Sequence, residues 1–105
     1  MQIQVNTDNH IEGSAELTAF VTAAIEEKIR RFASRITRIE AHFTDENSSG
    51  KSADDDKRCV LEARINGLDP VSVTDRASEL HQALQGAIRK LQARLDTLLG
   101  KLQDR

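Results

Sequence analysis

The sequence predicts an α+β fold in the order β-α-β-β-β-α, an antiparallel-rich four-stranded sheet with two helices packed on one face. Three observations predict it. Two stretches place apolar residues three and four apart, four short stretches alternate apolar with polar residues, and Gly, Asn, Asp or Pro stand between them. At 105 residues, 38% apolar and 30% charged, the chain has the composition of an ordinary globule. We expect one domain over residues 1–105, small enough that its stability is modest.

Residues 2–6 alternate as Gln2, Ile3, Gln4, Val5, Asn6, a strand with one apolar face. Asp8, Asn9 and Gly13 mark a turn. Ser14 is placed to cap a helix, because its hydroxyl can accept from an orphan amide of the first turn. Leu17, Phe20, Val21, Ala24, Ile25, Ile29 and Phe32 then form one apolar stripe of a helix over 15–33. Its end is cationic, which suits the negative pole of the helix dipole.

Ile39, Ala41 and Phe43 alternate with Arg38, Glu40, His42 and Thr44 in a half-buried strand. Residues 44–56, TDENSSGKSADDD, read as an acidic, flexible hairpin loop. Cys59, Leu61, Ala63 and Ile65 alternate with Arg58, Glu62 and Arg64, with Val60 breaking the polar side. Asn66-Gly67 opens a turn that Leu68-Asp69-Pro70 lengthens, and Val71 and Val73 make a short last strand. From about Ala77, the residues Leu80, Leu84, Ala87, Ile88, Leu91, Leu95, Leu98 and Leu102 form the stripe of a second helix. Gly86 and Gly100 weaken it locally, and its last turns are expected to fray. Helices on one face leave a polar sheet face open, carrying Gln2, Gln4, Asn6, Arg38, Glu40, His42, Arg58, Glu62, Arg64, Ser72 and Thr74.

Composition excludes several classes of function. No stretch approaches the roughly eighteen apolar residues of a membrane span. The start, Met1-Gln2-Ile3-Gln4-Val5, has no signal-like apolar core, so a cytoplasmic location is expected. One cysteine, Cys59, allows neither an internal disulfide nor a zinc cage, and its place in an alternating strand predicts a buried, inert thiol. His10, His42 and His81 fall on different elements, so no metal or catalytic site is expected. Ser49-Gly50-Lys51-Ser52 contains the Gly-Lys-Ser of a phosphate loop. However, Asp45 stands where that loop needs its first glycine, and Asp54–Asp56 follow where it needs a helix. The acidic loop also lacks the ligand spacing of a calcium loop.

The net charge of −2 hides a segregation. Residues 44–56 hold five acids and one base, so the rest of the chain is net positive. From Lys28 to Arg38 there are five bases and no acid. Such a run can form a basic patch on an acidic protein. Three Phe and no Trp or Tyr weaken any model in which bases stack on aromatic platforms.

The element order, the opening Ile3-Gln4-Val5-Asn6-Thr7-Asp8-Asn9, and Ser14-Ala15-Glu16-Leu17-Thr18-Ala19-Phe20-Val21 resemble the ribosome hibernation-promoting factor and ribosome-associated inhibitor (protein Y) family, in its short form. Glu79-Leu80-His81-Gln82-Ala83-Leu84-Gln85-Gly86-Ala87-Ile88-Arg89-Lys90-Leu91 resembles that family's last helix without gaps. The resemblance implies a fold similar to double-stranded-RNA-binding domains. It also implies binding to the small ribosomal subunit in the channel of messenger and transfer RNA, inhibition of translation, no cofactor and no catalysis. By position it nominates Lys90, flanked by Arg89, Arg94 and Lys101, and with them Lys28, Arg31, Arg35 and Arg38, as contacts to ribosomal RNA phosphates. No membrane partner and no small-molecule substrate are expected, and weak self-association is left open. The sequence departs from the family in its acidic loop, its lower basicity, and His81 where an aromatic ring is usual. The alternative reading is a non-catalytic protein-interaction module whose acidic loop binds a regulator.

Overall fold

The computed structural model describes residues 1–8, 11–46 and 56–103, the side chains of 101–103 excepted. Its elements are β1 (Gln2–Thr7), α1 (Ala15–Ile29), a 3₁₀ turn (Arg30–Phe32), β2 (Ile36–Asp45), β3 (Lys57–Ile65), β4 (Val71–Ala77) and α2 (Leu80–Gln103). The sheet order is β1-β2-β3-β4. The β2–β3 and β3–β4 pairs are antiparallel, whereas β1 and β2 run parallel because α1 is the crossover between them. The expected element order therefore holds, in a mixed sheet.

Alternation sorts the strand residues as expected. Ile39, Ala41, Phe43, Cys59, Leu61, Ala63, Ile65, Val71 and Val73 are buried under the helices. The pairing shifts register between Ile36 and Arg38, with Thr37 as the extra residue. This bulge lets Ile36 and Ile39, an odd number of residues apart, both face the core. The Thr37 hydroxyl donates to the Arg64 carbonyl across it at 3.2 Å.

Ser14 caps α1 as its position predicts, its Oγ accepting from the Leu17 amide at 3.0 Å. Three boundaries differ from expectation, the first being that β2 runs on through Thr44 and Asp45, which pair with Arg58 and Lys57 instead of opening the acidic loop. The first helix gives way to a 3₁₀ turn after Ile29, which tightens the chain so that Phe32 still reaches the core. The last strand runs on to Ala77, paired with Lys57, so α2 begins at Leu80 rather than near Ala77. Phe20 also departs from its predicted stripe and is 39% exposed. Along α2 the buried residues are Ala83, Leu84, Ala87, Ile88, Leu91, Leu95 and Leu99.

Gly67 sits at φ 81° in the β3–β4 turn, a backbone conformation that side chains disfavour. Much of the acidic loop, 47–55, with its Gly-Lys-Ser sequence, lies outside the described residues. At its base, the Glu46 amide donates to the Asp56 carbonyl at 2.8 Å. Lys57 Nζ lies 3.1 Å from Asp56 and 3.3 Å from Asp45. The Asp56 carboxylate, helped by Asp45, holds the Lys57 ammonium above the ordinary lysine range.

Candidate functional site

The two surfaces of the molecule handle positive charge differently. On the open sheet face, alternation brings Arg38, Arg58, Arg64 and Arg76 outward, each beside a glutamate. Arg38 pairs with Glu40 at 3.3 Å, and Arg64 with Glu62 at 3.7 Å and Glu40 at 3.8 Å. Arg58 and Arg76 share Glu46. Arg38 also donates to the Gln4 side-chain carbonyl from the neighbouring strand. His42 stands 3.5 Å from Glu40 and within reach of Asn6. The face is a grid of matched charges, and such a grid has little field left for a distant anion.

The helix layer pairs Arg31 with Asp96 and Lys90 with Asp75 but leaves other cations of the described residues unmatched. Among the described residues, Lys28, Arg30, Arg35, Arg89 and Arg94 form no ion pair. Lys28 and Arg89 line one groove of about 580 Å³ between α1 and α2, with Phe20, Ala23, Ala24 and Glu27 from α1 and Leu84, Gln85, Ile88 and Gln92 from α2. On α2, Gln85, Arg89 and Gln92 stand four and three residues apart, the spacing of one helix face. Gln92 Nε2 donates to the Lys28 carbonyl at 3.0 Å, which ties the last turn of α1 to the middle of α2. Arg31 lies one turn farther along, over the Phe32 ring and 2.5 Å from Asp96 of α2. Arg35 is half-buried in the turn leading to β2.

Lys90 and Arg94 belong to the other flank of α2. They line a second cleft, about 440 Å³, with Ser72, Val73 and Thr74 of the edge strand β4 and Ala93 and Thr97 of α2. Lys90 Nζ donates to the Thr74 carbonyl at 2.8 Å and lies 3.0 Å from Asp75.

The structure thus separates the nominated residues, with six of the eight falling on three surfaces. Lys28 and Arg89 come together in the groove between the helices, and Arg31 lies a turn farther along on Asp96. Lys90 and Arg94 share the β4 flank of α2. Arg38 is on the opposite, sheet face, Arg35 is in the turn between the layers, and the Lys101 side chain lies outside the described residues. Sequence reasoning did not single out Arg30, exposed and without an ion pair among the described residues, although it sits in the same acid-free run. Nor did it find Asp75 and Asp96, the counter-ions of Lys90 and Arg31, because those pairs form only on folding.

Cys59 is fully buried, and burial together with the nearby Asp75 charge pushes its thiol up to about 12. Such a thiol stays protonated and is no nucleophile near neutral pH. Among the described residues, no group of His, Cys, Asp and Glu could hold a metal ion, and no helix is long and apolar enough to cross a membrane.

Comparison with solved structures finds the same architecture. A ribosomal subunit interface protein from Coxiella burnetii superposes with a TM-score of 0.71 at 16% identity, covering 95% of this chain and 99% of that one. The N-terminal domain of Protein Y from Thermus thermophilus gives 0.73 at 15% identity, covering 93% and 99%. No curated protein matches the sequence significantly. Residues 3–103 match the family described as Sigma 54 modulation protein / S30EA ribosomal protein. That match spans nearly the whole chain, and the chain belongs to this family.

Proposed function

We propose that this protein is a ribosome-associated hibernation factor that binds the small ribosomal subunit through the helix layer and thereby inhibits translation. Membership of the S30EA family and the likeness to a ribosomal subunit interface protein support the ribosome as partner. The observation that carries the choice of surface is the contrast in charge pairing. The arginines of the sheet face are matched by Glu40, Glu46 and Glu62, while Lys28, Arg30, Arg35, Arg89 and Arg94 of the helix side have no such match among the described residues.

An unpaired cation on a solvated surface can neutralise a phosphate and release its counterion without first breaking an ion pair. Ribosomal RNA helices are recognised by shape and phosphate position more than by sequence. Occupying the channel of messenger and transfer RNA needs only binding, so the protein acts as a single cytoplasmic domain without a cofactor or a chemical step. Of the nominated contacts, Lys28 and Arg89 form the centre of this surface, Arg31 stands beside them once released from Asp96, and Arg35, Lys90 and Arg94 are its margins; the Lys101 side chain lies outside the described residues. Arg38, on the other face, contributes least.

Co-sedimentation with purified small subunits tests this. Lys28→Gln with Arg89→Gln is expected to weaken binding by about tenfold and to reduce the salt slope by about one per charge removed. Arg64→Gln with Arg76→Gln is expected to leave binding within about twofold. Equal losses from both pairs would refute the assignment of the helix face.

A further inference from the structure

The groove between the helices holds more than cations. Phe32 and Phe43 are buried, but Phe20 is 39% exposed. Its ring lies 4.3 Å from that of His81, centroid to centroid, with the planes 32° apart. Phe20 lines the groove and His81 does not, so the groove meets a part of the phenyl ring that the imidazole leaves uncovered. Beside it, Ala23 and Ala24 supply no bulk, and Leu84 and Ile88 form an apolar floor. The rim is polar, with Gln85, Gln92 and Glu27 as hydrogen-bonding groups and Lys28 and Arg89 as cations.

We propose that this groove takes one unstacked base from a single-stranded stretch of RNA, laid against Phe20 as a continuation of the His81–Phe20 pair. The inference rests on the reading of the helix layer as an RNA-binding surface and adds a base site to it. A slot floored by small and aliphatic residues beside an open ring suits a planar heterocycle. Glu27 and the glutamine amides can meet its polar edge. Lys28 and Arg89 stand where the flanking phosphates pass. One exposed ring serves one base, which is consistent with a chain poor in aromatics. An amphipathic peptide helix fits less well. Such a helix needs anchor pockets over two turns or more. Here the apolar part runs only from Phe20 to Ala24 on α1 and is closed by Glu27 and Lys28.

The test is nuclear magnetic resonance of the full chain, following the ring protons of Phe20 and His81. The probes are an unstructured RNA hexamer, an abasic hexamer of the same charge, and an acidic amphipathic peptide. The RNA is expected to shift the Phe20 ring in a saturable way, and the abasic chain is expected to leave it in place. Phe20→Ala should weaken hexamer binding about tenfold and leave abasic binding unchanged. Ala23→Leu, which fills the groove from an exposed helix position, should do the same. A Phe20 ring that RNA does not move, or that RNA and the abasic chain move equally, overturns the base site. So does a ring that responds to the peptide alone. Co-sedimentation with the small subunit is scored separately. Sedimentation with an unmoved Phe20 removes the base site and keeps the ribosome. A shifted Phe20 without sedimentation keeps the base site and removes the ribosome.

Discussion

Gly86 has a reason to be a glycine that its helix alone does not explain. A Cβ there would stand 1.6 Å from Asp75 Oδ2 and 2.6 Å from its Cγ, so the carboxylate that holds Lys90 occupies the space of a side chain. Gly86→Ala is therefore expected to destabilise the fold by about 1–3 kcal/mol, because Asp75 must turn away and lose its place. In an Asp75→Ala background most of that cost should vanish, and a double-mutant cycle by urea unfolding measures the difference. Cys59 gives a second prediction at this scale. Its thiol is held at about 12 in the fold, while an exposed thiol titrates near 9. Between those values the unfolded chain releases a proton that the folded chain keeps, so stability falls as pH rises through that window. The slope is at most about 1.4 kcal/mol per pH unit, and below the window this contribution is complete. Urea melts from pH 8 to 11, compared with Cys59→Ala, isolate it. The burial of Cys59 could be read from alternation. The carboxylate behind Gly86 could not, since nothing local in the sequence connects Asp75 to that turn of α2.

Among the elements, those with a strong period were legible and their ends were not. The β2 and β3 stripes and the Ser14 cap follow from side-chain chemistry that acts within a few residues. Ser14→Ala should cost about 1 kcal/mol in thermal or chemical unfolding, the loss of the bond to the Leu17 amide. The end of α1 and the start of α2 depended on tertiary partners. The 3₁₀ turn forms where Phe32 must reach the core, and β4 extends to Ala77 because Lys57 is there to pair with it. The two α2 glycines, alike in sequence, separate here. Nothing lies within 4 Å of a Cβ built at Gly100, so Gly100→Ala is expected to stabilise by about 0.5–1 kcal/mol, read as a rise in Tm. The same change at Gly86 has the opposite sign.

For the whole molecule, the acid-free run from Lys28 to Arg38 is by itself the mark of a basic region. What the run could not show is that the chain carries Arg38 round to the sheet face, where Glu40 meets it. Neither could it show that Asp96, 65 residues along, sits on Arg31. That pair is well exposed, 62% and 50%, so it adds little stability. Asp96→Asn is accordingly expected to change the unfolding free energy by less than about 1 kcal/mol while tightening association with small subunits several-fold at low salt. Affinity of the unmodified protein should drop on the order of a hundredfold between about 50 and 200 mM salt if roughly four to six phosphates are met. The Lys90 ammonium on the Thr74 carbonyl has a different kind of consequence. β4 is one of the two edge strands, and its outward carbonyls and amides would template a further strand from another molecule. A tethered, hydrated charge on that rim guards against runaway polymerisation. Solubility at high concentration is thus tied to the choice of lysine at this position.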